Sequence, residues 1–364
     1  MNKKIEKLRR ALLELETSTD GYLVLNLEGS DRTNQRYLTG FSSTLGCTLV
    51  LEDRVIFLTD SRYIEDAKDE LSDVVLKKID SKPIEKIAGL INELGIGSVA
   101  IDQRDVSLKF YNQLKDHLNG VELLELDGIL KKIRRTKEGR EIELHDRAAF
   151  IADEAFSHLL DFVQPGITER EVALELEFFM RKNGAESVSF PPIVACGSRS
   201  AKPHAHPDQV ELEPENLLLV DMGARYDGYC SDLTRTIHLG KPSSKVEEIY
   251  QIVLEAQLRG LDALGSGVSA GDVHDKVSGV IEAAGYGDNF DHGSGHGVGM
   301  EVHEEPKLDS DSDDRLEPGM IVTMEPGIYL PGWGGIRIED MVRITDDGYV
   351  RFSHAPKDRL INPL

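Results

Sequence analysis

An α/β domain followed by an α+β domain built on antiparallel strands is the fold that the sequence predicts, and three observations carry it. At 364 residues and 40% hydrophobic content, the chain exceeds one compact core of ordinary size and holds apolar surface enough for two. Helical and strand patterns alternate through residues 1–130, whereas later the long helical patterns flank strand-and-glycine segments at 187–239 and 290–352. Between the halves, the basic stretch 131–140 is poor in apolar residues, which places the boundary near residue 132 and the domains at 1–131 and 132–364.

In the first half, a charged helix running through Leu15 precedes strands at 22–25, 47–51 and 55–59. Helices at 63–71 and 83–94 and a buried strand at 98–102 follow. In the second half, 142–162 has helical spacing with little interruption. The helix at 168–182 starts with Thr168-Glu169-Arg170-Glu171, read as an inverted form of the Ser/Thr-x-x-Glu signal with acid in its first turn. A third helix spans 244–264, and neither a short tandem repeat nor a low-complexity tract interrupts these patterns.

Charge and cysteine usage exclude several function classes. With 42 basic against 65 acidic residues the formal charge is −23, the wrong sign for nucleic acid or an anionic membrane surface. Cys47, Cys196 and Cys230 are odd in number and widely spaced, so reduced thiols are expected rather than a disulfide framework or a thiolate zinc site. No run approaches the roughly 18 apolar residues of a membrane span, and residues 1–10 form a charged amphipathic start with no apolar targeting core. A cytoplasmic location is the resulting expectation.

The chemistry starts from two aspartates. Segments 217–221 and 228–237 read as arms of a tight hairpin; a turn at 226–227 sets Asp221 directly opposite Asp232, and a turn at 227–228 sets them diagonally on the same face. Two carboxylates on one buried face repel and lose hydration, so something positive must sit between them. Taken singly, each is more commonly an ordinary turn or strand-end residue, and Arg235 offers a neutralising partner.

Three histidines, His292, His296 and His303, fall in a glycine-rich stretch whose glycines at 293, 295, 297 and 299 make a helix implausible, so a loop entering a strand is expected. Glu325 follows the apolar run 320–324, and Glu339 follows the turn-rich segment 331–334, which reads as two strands joined by a loop. Acidic residues there are expensive unless paired or coordinated, and Arg337 can pair with one of the two but hardly with both. Together Asp221, Asp232, His296, Glu325 and Glu339 offer oxygen-rich ligation with one nitrogen, and four negative charges match two divalent metal ions. Hard carboxylates favour Mn²⁺ or Co²⁺, with Fe²⁺ and Zn²⁺ as alternatives.

These residues resemble the pita-bread metallopeptidases, the family of methionine aminopeptidase, aminopeptidase P and prolidase, and the similarity to aminopeptidase P and prolidase covers nearly the whole chain. It is carried by the spacing of Asp221 and Asp232, by His296 in Gly-His-Gly, by Glu325 in Thr-Met-Glu-Pro-Gly and by Glu339 in Arg-Ile-Glu-Asp. Arg36-Tyr-Leu-Thr-Gly-Phe41 and Thr59-Asp-Ser-Arg-Tyr63 resemble the creatinase-like N-terminal domain that methionine aminopeptidases usually lack. The loop around His204 is similar to the family's substrate-site histidine motif, whereas His206 has no counterpart.

The resemblance implies a pita-bread catalytic domain with an antiparallel sheet. Asp232 and Glu339 would bridge two ions, with Asp221 completing one site and His296 with Glu325 the other. Glu325 would also move the proton of the attacking water, and His303 would steady the oxyanion. His204 and His292 would position the substrate, and Arg337 would buttress the cleft. The implied activity is that of an exopeptidase cutting X-Pro bonds, a Xaa-Pro dipeptidase or aminopeptidase acting as a homodimer on small peptides with proline second. A broader aminopeptidase and a catalytically inactive binding protein of the same fold are the alternatives.

Overall fold

The computed structural model describes residues 3–27 and 32–364 and divides into two compact units, Met1–Ile133 and Arg134–Leu364. In the first unit a six-stranded sheet is built from β1 (Gly21–Asn26), β2 (Gly46–Leu51), β3 (Val55–Thr59), β4 (Val75–Lys78), β5 (Ser98–Asp102) and β6 (Glu122–Leu126), in the order β4-β3-β2-β1-β5-β6. Every residue of the three consecutive strands β1, β2 and β3 is buried, which is why they are near-continuous apolar runs. The outer strands β4 and β6 hold no fully buried residue, β4 being mostly exposed and β6 only half-buried at its leucines, and so carry a weaker apolar pattern. Helices α1 (Lys3–Leu13), α2 (Thr33–Thr39), α3 (Ile64–Glu70), α4 (Pro83–Leu94) and α5 (Leu108–His117) alternate with the strands, and α6 (Ile129–Arg134) follows the last of them. Sequence pattern missed α2, α5 and α6; α5 buries Leu114 alone among its residues, so its periodicity is faint.

The second unit begins with α7 (Arg140–Phe162) and α8 (Glu169–Lys182). Thr168 caps α8 by accepting from the Glu171 N–H, and Glu171 returns a carboxylate to Thr168 N at 2.7 Å. The Thr-x-x-Glu signal therefore works in its forward sense, a correction to the inverted reading. Next come β7 (Ser187–Val188), β8 (Ile193–Cys196), a short 3-10 turn (Gly197–Ala201) and a hairpin of β9 (Leu217–Met222), β10 (Ala224–Tyr226), β11 (Tyr229–Cys230) and β12 (Leu233–His238). Its turn residues Asp227 and Gly228 have φ of 45° and 87°, the left-handed pair that matches strand twist in a two-residue hairpin. Asp221 accordingly faces Thr234 and not Asp232, so the diagonal arrangement holds and the directly opposed one does not.

Helices α9 (Ser244–Ala263) and α10 (Ala270–Ala283) pack together on the far half. Sequence reading passed over α10, whose core residues Ala270, Val273, Val277 and Ile281 keep helical spacing but are diluted by Gly271 and Gly279. The remaining strands are β13 (Gly295–Gly297), β14 (Glu304–Leu308), β15 (Ile321–Met324), β16 (Gly327–Leu330), β17 (Gly334–Arg337), β18 (Asp340–Thr345) and β19 (Gly348–Arg351). One core packs α7 and α8 onto β8, β9 and β12, and a second packs α9 and α10 onto β15 to β18. No described helix is long and apolar enough to cross a membrane.

Candidate metal centre

Strand ends from both halves of the second unit deliver the five proposed ligands. Asp221 lies in β9 and Asp232 stands immediately before β12; His296 is in β13, Glu325 follows β15, and Glu339 separates β17 from β18. Backbone bonds fix their approach: Glu339 N donates to Thr234 O at 3.1 Å, joining the halves, and Glu325 N donates to Ser294 O at 2.8 Å. Position 223, next to Asp232's strand, has to be glycine, since a Cβ there would lie 1.9 Å from Ser231 O.

Asp232, His296 and Glu339 bring one donor atom each to within 4.8 Å of one another. His296 Nε2 lies 3.2 Å from Glu325 Oε1 and 3.6 Å from Asp232 Oδ2. Asp221 meets Arg337 Nη2 through Oδ2 at 2.6 Å, while its Oδ1 is buried with no hydrogen-bond partner.

The electrostatics indicate what is required there. Burial, then the charges of Glu339, Asp221 and Glu325, pushes Asp232 well above the carboxylate range, and burial with Glu325 and Asp221 does the same to Glu339. Among the described residues neither carboxylate pairs with a lysine or arginine. Burial also opposes ionisation of Glu325, but the hydrogen bond and charge of His296, with the charges of Arg337 and His292, outweigh it and hold the carboxyl down at about 2. Asp232, His296 and Glu339 thus form a buried group of two carboxylates and an imidazole that could hold a hard divalent cation, with the partnerless Asp221 Oδ1 in the same half of the unit.

Two expected arginine pairings are corrected. Arg235 is not a partner of Asp232; it is buried against Asp340 Oδ1 and Ala355 O, each at 2.7 Å, where Lys357 also reaches Asp340. Its side chain points to the opposite side of β12 from the carboxylate cluster. Arg337 pairs with neither Glu325 nor Glu339 but crosses to Asp221, and its Nη1 donates to Tyr329 OH at 2.9 Å.

The histidines take separate positions. His292 Nε2 sits 3.0 Å from Tyr329 OH, and burial pushes its ring down from the usual histidine range. His303 is exposed and packs edge-on to His296 with ring centroids 4.4 Å apart. Burial, then the charges of His296 and His204, lower it, which places exposed His204 within electrostatic reach. Among the described residues His206 offers its backbone oxygen, to Arg199, and no hydrogen bond from its ring.

Three hydroxyls escaped the sequence reading. Thr234 Oγ1 donates to Glu339 Oε2 at 2.7 Å and accepts from Arg337 Nε at 3.1 Å; Thr323 Oγ1 accepts from His296 N at 3.0 Å and donates to Glu325 Oε1 at 3.1 Å. Tyr329 OH links His292 to Arg337. The two threonines lie two positions from Asp232 and Glu325. Strand alternation alone would have put them on the ligand face.

Residues 143–346 match metallopeptidase family M24, and residues 4–136 match the creatinase/prolidase N-terminal domain. The chain belongs to metallopeptidase family M24. It is 36% identical to the Xaa-Pro dipeptidase of Pyrococcus furiosus, across 99% of this chain and 100% of that protein. The solved Xaa-Pro dipeptidase from Bacillus anthracis superposes with a TM-score of 0.93 at 42% identity over 99% of both chains. The X-Pro aminopeptidase from Thermotoga maritima does so with 0.91 at 34% identity over 97% of this chain and 99% of that one. As an M24 member the protein is a metallopeptidase: a creatinase-type N-terminal domain precedes a pita-bread catalytic domain, and divalent metal is its cofactor.

Proposed function

We propose that this M24 metallopeptidase is a dinuclear exopeptidase that hydrolyses X-Pro peptide bonds in small peptides with proline at the second position. The observation that carries it is the convergence of Asp232, Glu339 and His296 in a buried cluster where burial and neighbouring carboxylates push Asp232 and Glu339 well above the carboxylate range, the opposing charge of Arg337 notwithstanding. Likeness along the whole chain to Xaa-Pro dipeptidases and an X-Pro aminopeptidase supports the proline specificity.

Asp221, Asp232, His296, Glu325 and Glu339 would hold two divalent ions, with Mn²⁺ or Co²⁺ suiting the oxygen-rich donors. The chemistry such ions supply when bound is acidification of a water and polarisation of the scissile carbonyl. Glu325 takes the proton of the attacking water and passes it to the leaving proline nitrogen. His303 donates to the developing oxyanion, a contact of a kind worth about 3 kcal/mol. His292, held against Tyr329 OH, and exposed His204 grip the substrate backbone and the proline ring. An X-Pro bond has no amide N–H to grip, so such side-chain contacts replace the usual backbone donor.

The test is hydrolysis of Gly-Pro, Met-Ala and a longer X-Pro-X peptide, before chelation, after it, and after readdition of Mn²⁺, Co²⁺ or Zn²⁺. Cleavage of the proline peptides that disappears with the metal and returns with it is expected. Equal cleavage of Met-Ala would move the reading to a broader aminopeptidase, and turnover that survives complete metal removal would end it.

A further inference from the structure

Outside the metal centre, Glu169, the first residue of α8, carries a carboxylate that is 0% exposed. It accepts from Cys196 N at 2.8 Å, from Arg199 Nε at 3.0 and 3.1 Å, and from Asp208 N at 3.1 Å. Cys196 ends β8, Arg199 lies in the 3-10 turn, and Asp208 comes after the loop that carries His204. One carboxylate therefore ties the start, the first turn and the end of a single loop. Arg199 extends the tie, since its Nη2 donates to His206 O at 2.8 Å.

The opposite side of this loop is seated on β17. Ser200 Oγ accepts from Gly335 N at 2.7 Å and donates to Gly197 O at 2.6 Å, and a Cβ at Gly335 would lie 2.2 Å from Ser200 O. Arg337, which holds Asp221, also points Nη1 at Pro203 O, 3.5 Å away. The backbone next to His204 is thereby tied to the metal centre. The His204 imidazole itself is exposed and makes no hydrogen bond among the described residues, so its place is set by the loop backbone alone.

We propose that Glu169 is a positioning residue for substrate binding: with Arg199 it latches both ends of the 197–208 loop and so holds His204 over the cleft. This rests on the reading of His204 as a substrate contact given above. A buried carboxylate is costly unless its lone pairs are fully used, and here they are used to close a loop whose ordering entropy would otherwise fall on substrate binding. In Glu169→Gln an acceptor oxygen becomes an NH₂ facing another N–H donor, which opens the latch while conserving shape.

The experiment is a double-mutant cycle on the metal-loaded enzyme with Gly-Pro. Glu169→Gln is expected to raise KM about tenfold with kcat held within about threefold, the pattern of lost uniform binding. Arg199→Ala should raise KM in the same direction by less. In a His204→Ala background the Glu169→Gln effect should shrink to less than about twofold, because the latch then has nothing to position. Hydrogen exchange should quicken across 198–207 in both latch variants while bound metal per chain stays unchanged.

Additive KM effects in the cycle, an unaltered KM in folded Glu169→Gln, or a loss of metal in that variant would overturn the proposal. If Glu169→Gln fails to fold, the Arg199→Ala and His204→Ala cycle is read by the same criteria. Wild-type enzyme inactive on Gly-Pro and on a longer X-Pro-X peptide would defeat the X-Pro reading itself, whereas an active wild type with an additive cycle would defeat only the latch.

Discussion

Asp232 and Glu325 are carboxylates at strand ends, yet their surroundings assign them different work. Asp232 lies 3.6 Å from His296, feels Arg337 only through its charge and is crowded by Glu339 and Asp221, whereas Glu325 has both Thr323 and His296 at its Oε1. Asp232→Asn should abolish metal retention, measured as bound metal per chain, together with turnover. Glu325→Gln should cut kcat by at least about 10²-fold, the range for loss of a proton-transfer group, while far-ultraviolet circular dichroism is preserved in both variants. Thr234 acts one step further out, because its hydroxyl sits between Glu339 and Arg337 and orients the carboxylate without joining it. Thr234→Val keeps the side chain's shape and should weaken metal binding by about 10–100-fold in calorimetric titration, the usual cost of losing a partner that orients a ligand, with Thr234→Ser restoring most of it.

The hairpin that carries the two aspartates shows what was legible at the scale of an element. Alternation with period two put Asp221 and Asp232 on one face whichever turn was chosen, so the shared face followed from the sequence while the register did not. The register depends on two positive-φ residues, Asp227 and Gly228, and on the close approach of Gly223 to Ser231. Gly223→Ala should force these strands apart and lower stability by about 2 kcal/mol or more, seen in chemical denaturation, with reduced metal retention because Asp232 is displaced. Strands β1 to β3 were readable because both faces are covered, and β4 and β6 were not because β4 is mostly exposed and β6 only half-buried. The apolar spacing of α10 was present but interrupted by glycine.

Across the catalytic unit, buried charge links stability to pH. Glu304, next to His303, bonds Arg134 at 2.7 Å and Lys137 at 3.0 Å. Burial opposes its ionisation, yet Lys137 and Arg134 outweigh that and hold the carboxyl at about 2 against an ordinary 4.5. The folded value is depressed, so this contribution is complete above the ordinary value and is lost as pH falls through about 2. Burial, then the charge of Lys137, pushes His145 from 6.5 down to about 3, so its contribution erodes as pH falls across that interval. Unfolding midpoints in urea should therefore decline progressively from pH 6.5 downward and steepen below 4.5. Glu304→Gln strands the buried Lys137, leaves Arg134 to Glu301, and should cost about 3–5 kcal/mol at neutral pH. Chelation should lower the melting temperature of the wild type, since ligand at about 100 times its Kd stabilises the folded state by about 2.7 kcal/mol.

The sequence by itself determined which side chains could serve and in what order: five candidate ligands, the flanking His292 and His303 and Arg337 all stand where local pattern placed them, on strand ends and in a glycine-rich entry to a strand. Strand alternation, glycine content and the cost of burying acids are local properties, readable over a few residues. Only the tertiary structure decided the partners. Arg337 reaches Asp221 across 116 positions, Arg235 turns away to Asp340 across 105, and Glu169 closes a loop 27 to 39 positions away. Such pairings are chosen by which strands meet in space, and a long-range meeting of that kind leaves no periodic trace along the chain.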